Sequence, residues 1–523
     1  MSKLYHLRLD IRKVQDYIFQ VPKLKFMLGA NSKIGELFST TLPELMKGSV
    51  CVFSEEQLNS IKNEKVKKQL GKNILSSSGG HFEAVFDCAD KRKAFITLSE
   101  KQISQDLPDL EYSINWREFS KEDSLAEFNK LKVNPVSPSC ANTNWYDMPY
   151  YELCNQDGVS CATATVIDQD DKEEKIGDKA RLMNQQADRF YKLQTKDAIA
   201  TFYNELSIYG NKLANTLKDL ADCGNSLKDN MLAYIKIDGN GTGARFREMK
   251  ASIETEPVLD GFIKVEEFWA ENRGRIWDSL KVTLQGEAIT KYQGAKLPYL
   301  LLMLGGDDLF LVCIPEIALH IATTLAEKMG KNYPISAGIA YVKESYPIAL
   351  ANHLAESCLE SAKAGSYRED GKPAYLDWHV HFDSIFQDIT DIRKNAYMLQ
   401  YTDAEKTNVT EILSLRPYSL ETTQKLLQVV ETMAKKLDDP KKETANNKVK
   451  GYRSVLKNGE AEVEFYSKML LAGEQELKDF MGSYTSVIQK ASHKILLNSA
   501  LDKIELLEFY REKNEKEGAK CKS

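Results

Sequence analysis

Twice along the chain an apolar run enters a pair of glycines and a second apolar run leaves it. In the clearer case Leu300-Leu301-Leu302-Met303-Leu304 leads into Gly305-Gly306-Asp307-Asp308, and Leu309-Phe310-Leu311-Val312 follows. The pattern predicts a β-hairpin, because glycine supplies the backbone angles of a tight turn. Its flanks are too uniformly apolar for a strand with one wet face, so helices are expected to cover the sheet. The second case runs Asn73-Ile74-Leu75-Ser76-Ser77-Ser78-Gly79-Gly80-His81-Phe82-Glu83-Ala84-Val85-Phe86.

The same order of elements surrounds each hairpin. Residues 4–10 read as a strand ending in Asp10, followed by Val14, Tyr17, Ile18 and Val21 at helical spacing up to Pro22. A second helix is expected near Lys33 and a charged helix or connector over Lys62–Lys72. The hairpin comes next, then a helix over about 90–105 and a strand over about 110–119. Later, Ala233–Asp238 is again a strand ending in Asp, and helical material leads to the second hairpin. A helix near 315–330 and a strand at 334–342 complete the unit. His81 lies 71 positions after Asp10, and Asp307 lies 69 after Asp238. Matching elements at nearly matching spacing indicate an internal duplication, far longer in period than a solenoid repeat.

The expected fold is α+β: two ferredoxin-like palm domains of order βααβ-αβ, each an antiparallel sheet with helices on one face. The divisions are a first, degenerate palm at 1–120 and a linker region at 121–230, with a long amphipathic helix over about 180–222. A second, catalytic palm at 231–385 and an α-helical C-terminal domain at 386–523 follow, the latter ending in a charged tail.

Composition narrows the class. A net charge of −6 and a pI near 5.9 over 523 residues exclude a broadly basic nucleic-acid binder. The opening Met1-Ser2-Lys3-Leu4-Tyr5-His6 lacks a signal-peptide apolar region, and no apolar run is long enough to span a bilayer, so no membrane association is expected. Nine cysteines without regular spacing suit reduced thiols and a cytoplasmic setting.

The candidate chemistry sits at the strand ends. Adjacent ionised carboxylates repel and are costly to desolvate, and a divalent cation offsets them most simply. Asp238, Asp307 and Asp308 offer hard oxygen donors suited to Mg²⁺ or Mn²⁺ carrying phosphates. Two such ions activate a 3′-hydroxyl and neutralise a leaving pyrophosphate. Asp238-Gly239-Asn240-Gly241 could open an EF-hand, but its twelfth position is Met249 and a strand precedes it, which excludes calcium. Gly239, Asn240 and Gly241, with Gly305 and Gly306, instead suggest backbone amides offered to a triphosphate. Lys363 has two readings: a cation in the last turn of its helix, which is favourable by default, or a clamp on the triphosphate.

His81 and Glu83 stand at the first hairpin in place of the carboxylate pair, which argues against a metal there. Asp10 reads as a helix cap. The first unit either holds a second nucleotide without chemistry or is structural. Cys140, Cys154 and Cys161 form no Cys-x-x-Cys pair, so zinc is not favoured, and His379 and His381 read as packing on an edge strand.

With these motifs in hand, most of the chain resembles the large palm-polymerase subunit of type III CRISPR effector complexes. Leu9-Asp10-Ile11-Arg12-Lys13-Val14-Gln15-Asp16-Tyr17-Ile18-Phe19 and Leu28-Gly29-Ala30-Asn31 resemble its first palm. Asp238-Gly239-Asn240-Gly241, the Gly-Gly-Asp-Asp hairpin, Ser336-Ala337-Gly338-Ile339, Tyr346-Pro347-Ile348 and Ala362-Lys363 resemble its second. The second palm is more distantly similar to GGDEF diguanylate cyclases. The resemblance implies synthesis of cyclic oligoadenylate from ATP, with Asp238, Asp307 and Asp308 as metal ligands and Asp307 at the ion that activates the 3′-hydroxyl. It also implies defence-complex proteins and guide or target RNA as partners. The chain departs from the family in starting directly at the first palm, with no His-Asp doublet of an HD nuclease and no paired-cysteine zinc element. A stand-alone palm polymerase of the same superfamily fits the residues equally. Three functions stand at this point: the ATP-dependent enzyme, a non-catalytic nucleotide-binding scaffold of an RNA-guided complex, and a cyclase joining GTP into a dinucleotide. Whether the two palms form one composite site within a chain or a homodimer is open.

Overall fold

The computed structural model describes all residues except 1–2, 47, 137–151, 159, 168–172, 229, 307, 383–387, 405, 439–442, 472, 491–492 and 513–523. The chain divides into two compact units. The first comprises Met1–Asn215, Gly241–Lys281 and Leu301–Leu309, and the second Thr216–Asn240, Val282–Leu300 and Phe310–Ser523.

The duplication appears in the strand order. The strands are β1 (Lys3–Ile11), β2 (Ile74–Ser78), β3 (His81–Phe86), β4 (Tyr112–Ser120) and β5 (Asn134–Val136), and they form a sheet of order β2-β3-β1-β4-β5. A short ribbon, β6 (Ala164–Ile167) with β7 (Glu173–Ile176), precedes β8 (Met231–Gly239), β9 (Tyr299–Gly305), β10 (Asp308–Cys313) and β11 (Ile335–Lys343). With β12 (Tyr375–Val380) and β15 (Tyr418–Ser419) these last four form a sheet of order β15-β12-β11-β8-β10-β9. The run β2-β3-β1-β4 thus recurs as β9-β10-β8-β11, the α+β palm order expected from sequence.

In the first sheet β1 pairs antiparallel with both β3 and β4. Leu7, Leu9, Phe82, Ala84 and Phe86 are buried on one face, where the rings of Phe82 and Phe95 stack at 5.4 Å. Phe95 belongs to the helix Ala89–Asp106. The opposite face carries His6, Arg8 and Glu83, so β1 alternates as a strand between unlike environments must.

β8 does not alternate: Met231 to Ile237 are buried throughout. The one charged position in that run, Lys236, is ion-paired with Glu356 of the helix Ile348–Ser366, since a buried charge needs a partner. The helix Ile348–Ser366 lies so close to β11 that a Cβ at Gly338 would strike the backbone of Ala355 and Leu359. That approach is why Ser336-Ala337-Gly338-Ile339 needs its glycine.

Several elements differ from expectation. The long helix over 180–222 is instead Asp178–Tyr191, Ala198–Glu205 and Leu217–Ala221. Leu193 takes a positive φ, and the Asp197 carboxylate accepts from the Ala200 N–H, starting a new helix. The helix expected near Lys33 already begins at Leu24. Beyond 386 the chain is helical but also carries β13 (Met398–Thr402), β14 (Asn408–Ile412), β16 (Thr485–Lys490) and β17 (His493–Leu497), in the order β13-β14-β17-β16. These strands are short, and β13 is largely exposed, so little apolar alternation marked it. His379 and His381 are both buried; their rings lie 5.9 Å apart, and His379 meets the Tyr397 ring edge-on at 6.3 Å. Cys140 and most of the acidic loop at 168–174 lie outside the described residues.

Candidate functional site

The described site residues each sit at a definite place in the fold. Asp238 is the penultimate residue of β8, and the register sets it opposite Ser336 on β11. Its Oδ1 accepts from the Gly239 N–H at 2.7 Å, and its Oδ2 is ion-paired with Lys363 Nζ. Lys363 occupies the last turn of the helix Ile348–Ser366. Both readings of this lysine therefore gain content: it ends a helix, and it lies on the carboxylate that ends β8.

Asn240 is buried, and its amide donates to Ser366 Oγ at 3.0 Å and to the Pro373 carbonyl at 3.0 Å. Those bonds pin the turn after β8. Gly241 has φ +69° and opens the helix Thr242–Ser252, whose first N–H groups have no partners within the helix. Gly305 ends β9, Gly306 turns at φ +65°, and Asp308 opens β10 with its side chain exposed. Asp307 lies outside the described residues.

Both glycine turns open into one cavity of about 500 Å³, and all of its lining belongs to the first unit. Gly79 and Gly80 line it together with Gly305, Gly306 and Asp308. Asn31 and Ile34, on the helix Leu24–Glu36, add a mixed polar and apolar wall. Lys196, Arg273 and Trp277 complete it. Sequence reasoning missed these last three. Arg273 and Trp277 sit within the helix Val258–Leu284, where nothing in the spacing separates a cavity-lining cation from a solvated one.

At the first hairpin the chemistry is different. Asp10 does not cap the next helix; its carboxylate accepts two bonds from Arg8 Nε, at 2.8 and 2.9 Å. His81, opposite Asp10 in the register, meets Ser76 Oγ at 3.0 Å. Burial holds the His81 imidazole below its ordinary pKa, against the pull of Glu83. An arginine-bound carboxylate facing an imidazole disposed to stay neutral is a poor match for a phosphate-carrying cation.

The donor set at the second hairpin is all oxygen, which fits Mg²⁺ or Mn²⁺ rather than a thiophilic metal. Among the described residues no group of three or more His, Cys, Asp or Glu is gathered to hold a metal, and Asp307 is not among those residues. Asp308, exposed beside the glycine turns, is a described carboxylate that lines the cavity. No helix among the described residues is long and apolar enough to cross a membrane.

No protein-family model matches the chain, and no curated protein matches it. Solved structures do. The crystal structure of a Csm1–Csm4 cassette in complex with cA3 matches with a TM-score of 0.52 at 12% identity, covering 98% of this chain and 70% of that chain. The cassette in complex with pppApApA matches with a TM-score of 0.51, at the same identity and coverage. Csm1 from T. onnurineus matches with a TM-score of 0.51 at 11% identity, again covering 98% and 70%. Over nearly its whole length, the fold of this chain is similar to that of Csm1, the palm-polymerase subunit of type III CRISPR Csm complexes.

Proposed function

We propose that the chain is a metal-dependent nucleotidyltransferase that joins ATP into cyclic oligoadenylate-type messengers. The observation that carries the reading is the shared cavity: a glycine turn bearing carboxylates and a second turn without them open into the same space of one unit. In this reading Asp238, Asp307 and Asp308 hold two Mg²⁺ or Mn²⁺ ions, which lower the pKa of an attacking 3′-hydroxyl and offset the charge of leaving pyrophosphate. The backbone at Gly239–Gly241 and Gly305–Gly306 and the Lys363 ammonium receive the triphosphate, and the first hairpin holds a second nucleotide without chemistry. Positioning and charge neutralisation do the catalytic work, since the attack needs little covalent help from side chains. Support comes from the structures of similar fold, which hold cA3, pppApA and pppApApA. Their Csm4 points to a protein partner of that kind for this chain.

The test is incubation of the chain with labelled ATP and Mn²⁺ or Mg²⁺, with and without RNA and partner proteins. Pyrophosphate release with cyclic products is expected, and Asp307→Ala with Asp308→Ala should abolish both. Binding of ATP without turnover under every condition would sink the reading. It would favour the scaffold alternative, to which the Lys363 ammonium already seated on Asp238 lends some support.

A further inference from the structure

A second cleft, of about 630 Å³, lies on the other face of the first sheet and shares no lining residue with the hairpin cavity. Its floor is the polar face of three strands. The register sets Arg8 opposite both Glu83 and Asn115, and His6 opposite Arg117, so these side chains share one face. Its roof comes from the helices Thr242–Ser252 and Val258–Leu284, which contribute Phe246, Lys250, Phe262 and Trp269. All of these residues belong to the first unit.

The floor is built rather than incidental. Arg8 donates to Glu83 Oε1 at 2.9 Å, and His6 Nε2 meets Glu83 Oε2 at 3.2 Å, so three groups fix one another. The His6 ring stacks on Phe262 at 5.6 Å, which ties floor to roof. Phe246 and Trp269 present adjoining rings, their centroids 5.0 Å apart. Two cations remain without a carboxylate among the described residues. Arg117 donates only to the Phe128 carbonyl, at 3.3 Å, and Lys250 has no ion pair.

We propose that this cleft binds a nucleoside 5′-monophosphate, with its base on the Phe246 and Trp269 rings and its phosphate between Arg117 and Lys250. An aromatic wall holds a planar base of any identity, at a contribution of roughly 1–3 kcal/mol per base in comparable stacks. Two unpaired cations match the charge of one phosphate group, about −1.5 to −2 at neutral pH. Asp10 and Glu83, further along the same floor, would repel a longer phosphate chain. The volume lies within the range of small-ligand pockets, about 300–1,000 Å³. The site does not depend on the chemistry proposed at the hairpins, because neither Asp238 nor Asp308 lines it.

The experiment is calorimetric titration of the full chain with AMP in EDTA, so that metal-dependent chemistry is silent, with intrinsic tryptophan fluorescence as a second readout. Wild type and Asp238→Asn should bind AMP alike. Arg117→Ala with Lys250→Ala should weaken binding at least tenfold while leaving the thermal midpoint near that of wild type. Trp269→Phe should remove the fluorescence change without abolishing the heat of binding. Lys250→Glu alone, a partly exposed position, tests the charge should the double variant fold poorly. Adenosine should bind at least tenfold more weakly than AMP. The proposal is overturned if AMP does not bind, if the Arg117→Ala, Lys250→Ala double variant and Lys250→Glu bind it as wild type does, if adenosine binds equally, or if only a single-stranded oligoadenylate is bound.

Discussion

The Lys363 ammonium is ion-paired with the Asp238 carboxylate, although 125 positions separate them. Both side chains are about a quarter exposed, at 25% and 23%, so the pair is neither locked in the core nor freely solvated. A cation on a proposed metal ligand has two consequences. It offsets the charge of Asp238 while no ion is there, and it must give way or swing toward phosphate when one arrives.

Lys363→Ala is therefore expected to raise affinity for Mn²⁺ in the absence of nucleotide by several-fold and to lower turnover of ATP by tenfold or more. Paramagnetic titration of Mn²⁺ checks the first outcome and product analysis the second. Unchanged metal affinity would show that the ammonium does not compete for Asp238.

Arg416 is a structural counterpart deep in the second unit. Its side chain is wholly buried, with Nε 2.9 Å from Asp502 Oδ1 and Nη2 3.3 Å from Glu505 Oε2. Removing the cation leaves two buried carboxylates uncompensated. Arg416→Ala is expected to destabilise the second unit by about 3–5 kcal/mol, the usual consequence of breaking a buried pair from one side. Urea unfolding followed by far-UV dichroism measures this, and a loss below about 1 kcal/mol would contradict it.

Glu83 couples the first unit to pH. Burial alone would push its carboxyl up, but the hydrogen bond and charge of His6, with Arg8 and His81, outweigh it and hold the pKa near 2. A folded pKa depressed below the ordinary carboxyl value of 4.5 means stability that is present above 4.5 and lost as pH falls toward 2. Glu83→Gln should be less stable than wild type at neutral pH, with the gap closing on acidification through that window. Chemical unfolding midpoints between pH 7 and 3 test the sign; a gap that widens on acidification would reverse it.

Gly338 tests the packing of the second sheet. A Cβ there meets the backbone of Ala355 and Leu359, which no rotamer change can relieve. Gly338→Ala is expected to cost about 1–3 kcal/mol or more, as overpacked cores do. A thermal midpoint equal to that of wild type would show that the helix Ile348–Ser366 can move aside.

The sequence by itself determined the duplication, the two glycine hairpins and the strands that carry Asp10 and Asp238 as their penultimate residues. Burial writes these locally: Met231 to Ile235 are apolar and buried, and at the two hairpins Gly79, Gly80 and Gly306 take the positive φ of the turn. Short strands such as β13 were not legible, because an exposed strand has no apolar face to leave a pattern. The broken helix after Asp178 was equally hidden, since Asp197 acts as a cap only through the backbone it meets. Only the tertiary structure decided that Gly79-Gly80 and Gly305-Gly306 line one cavity, that Arg273 and Trp277 join them, and that Asp238 takes Lys363 as its partner. Periodicity records whether a position is buried. Which distant charge or ring shares its space depends on how strands and helices far apart in sequence are laid side by side.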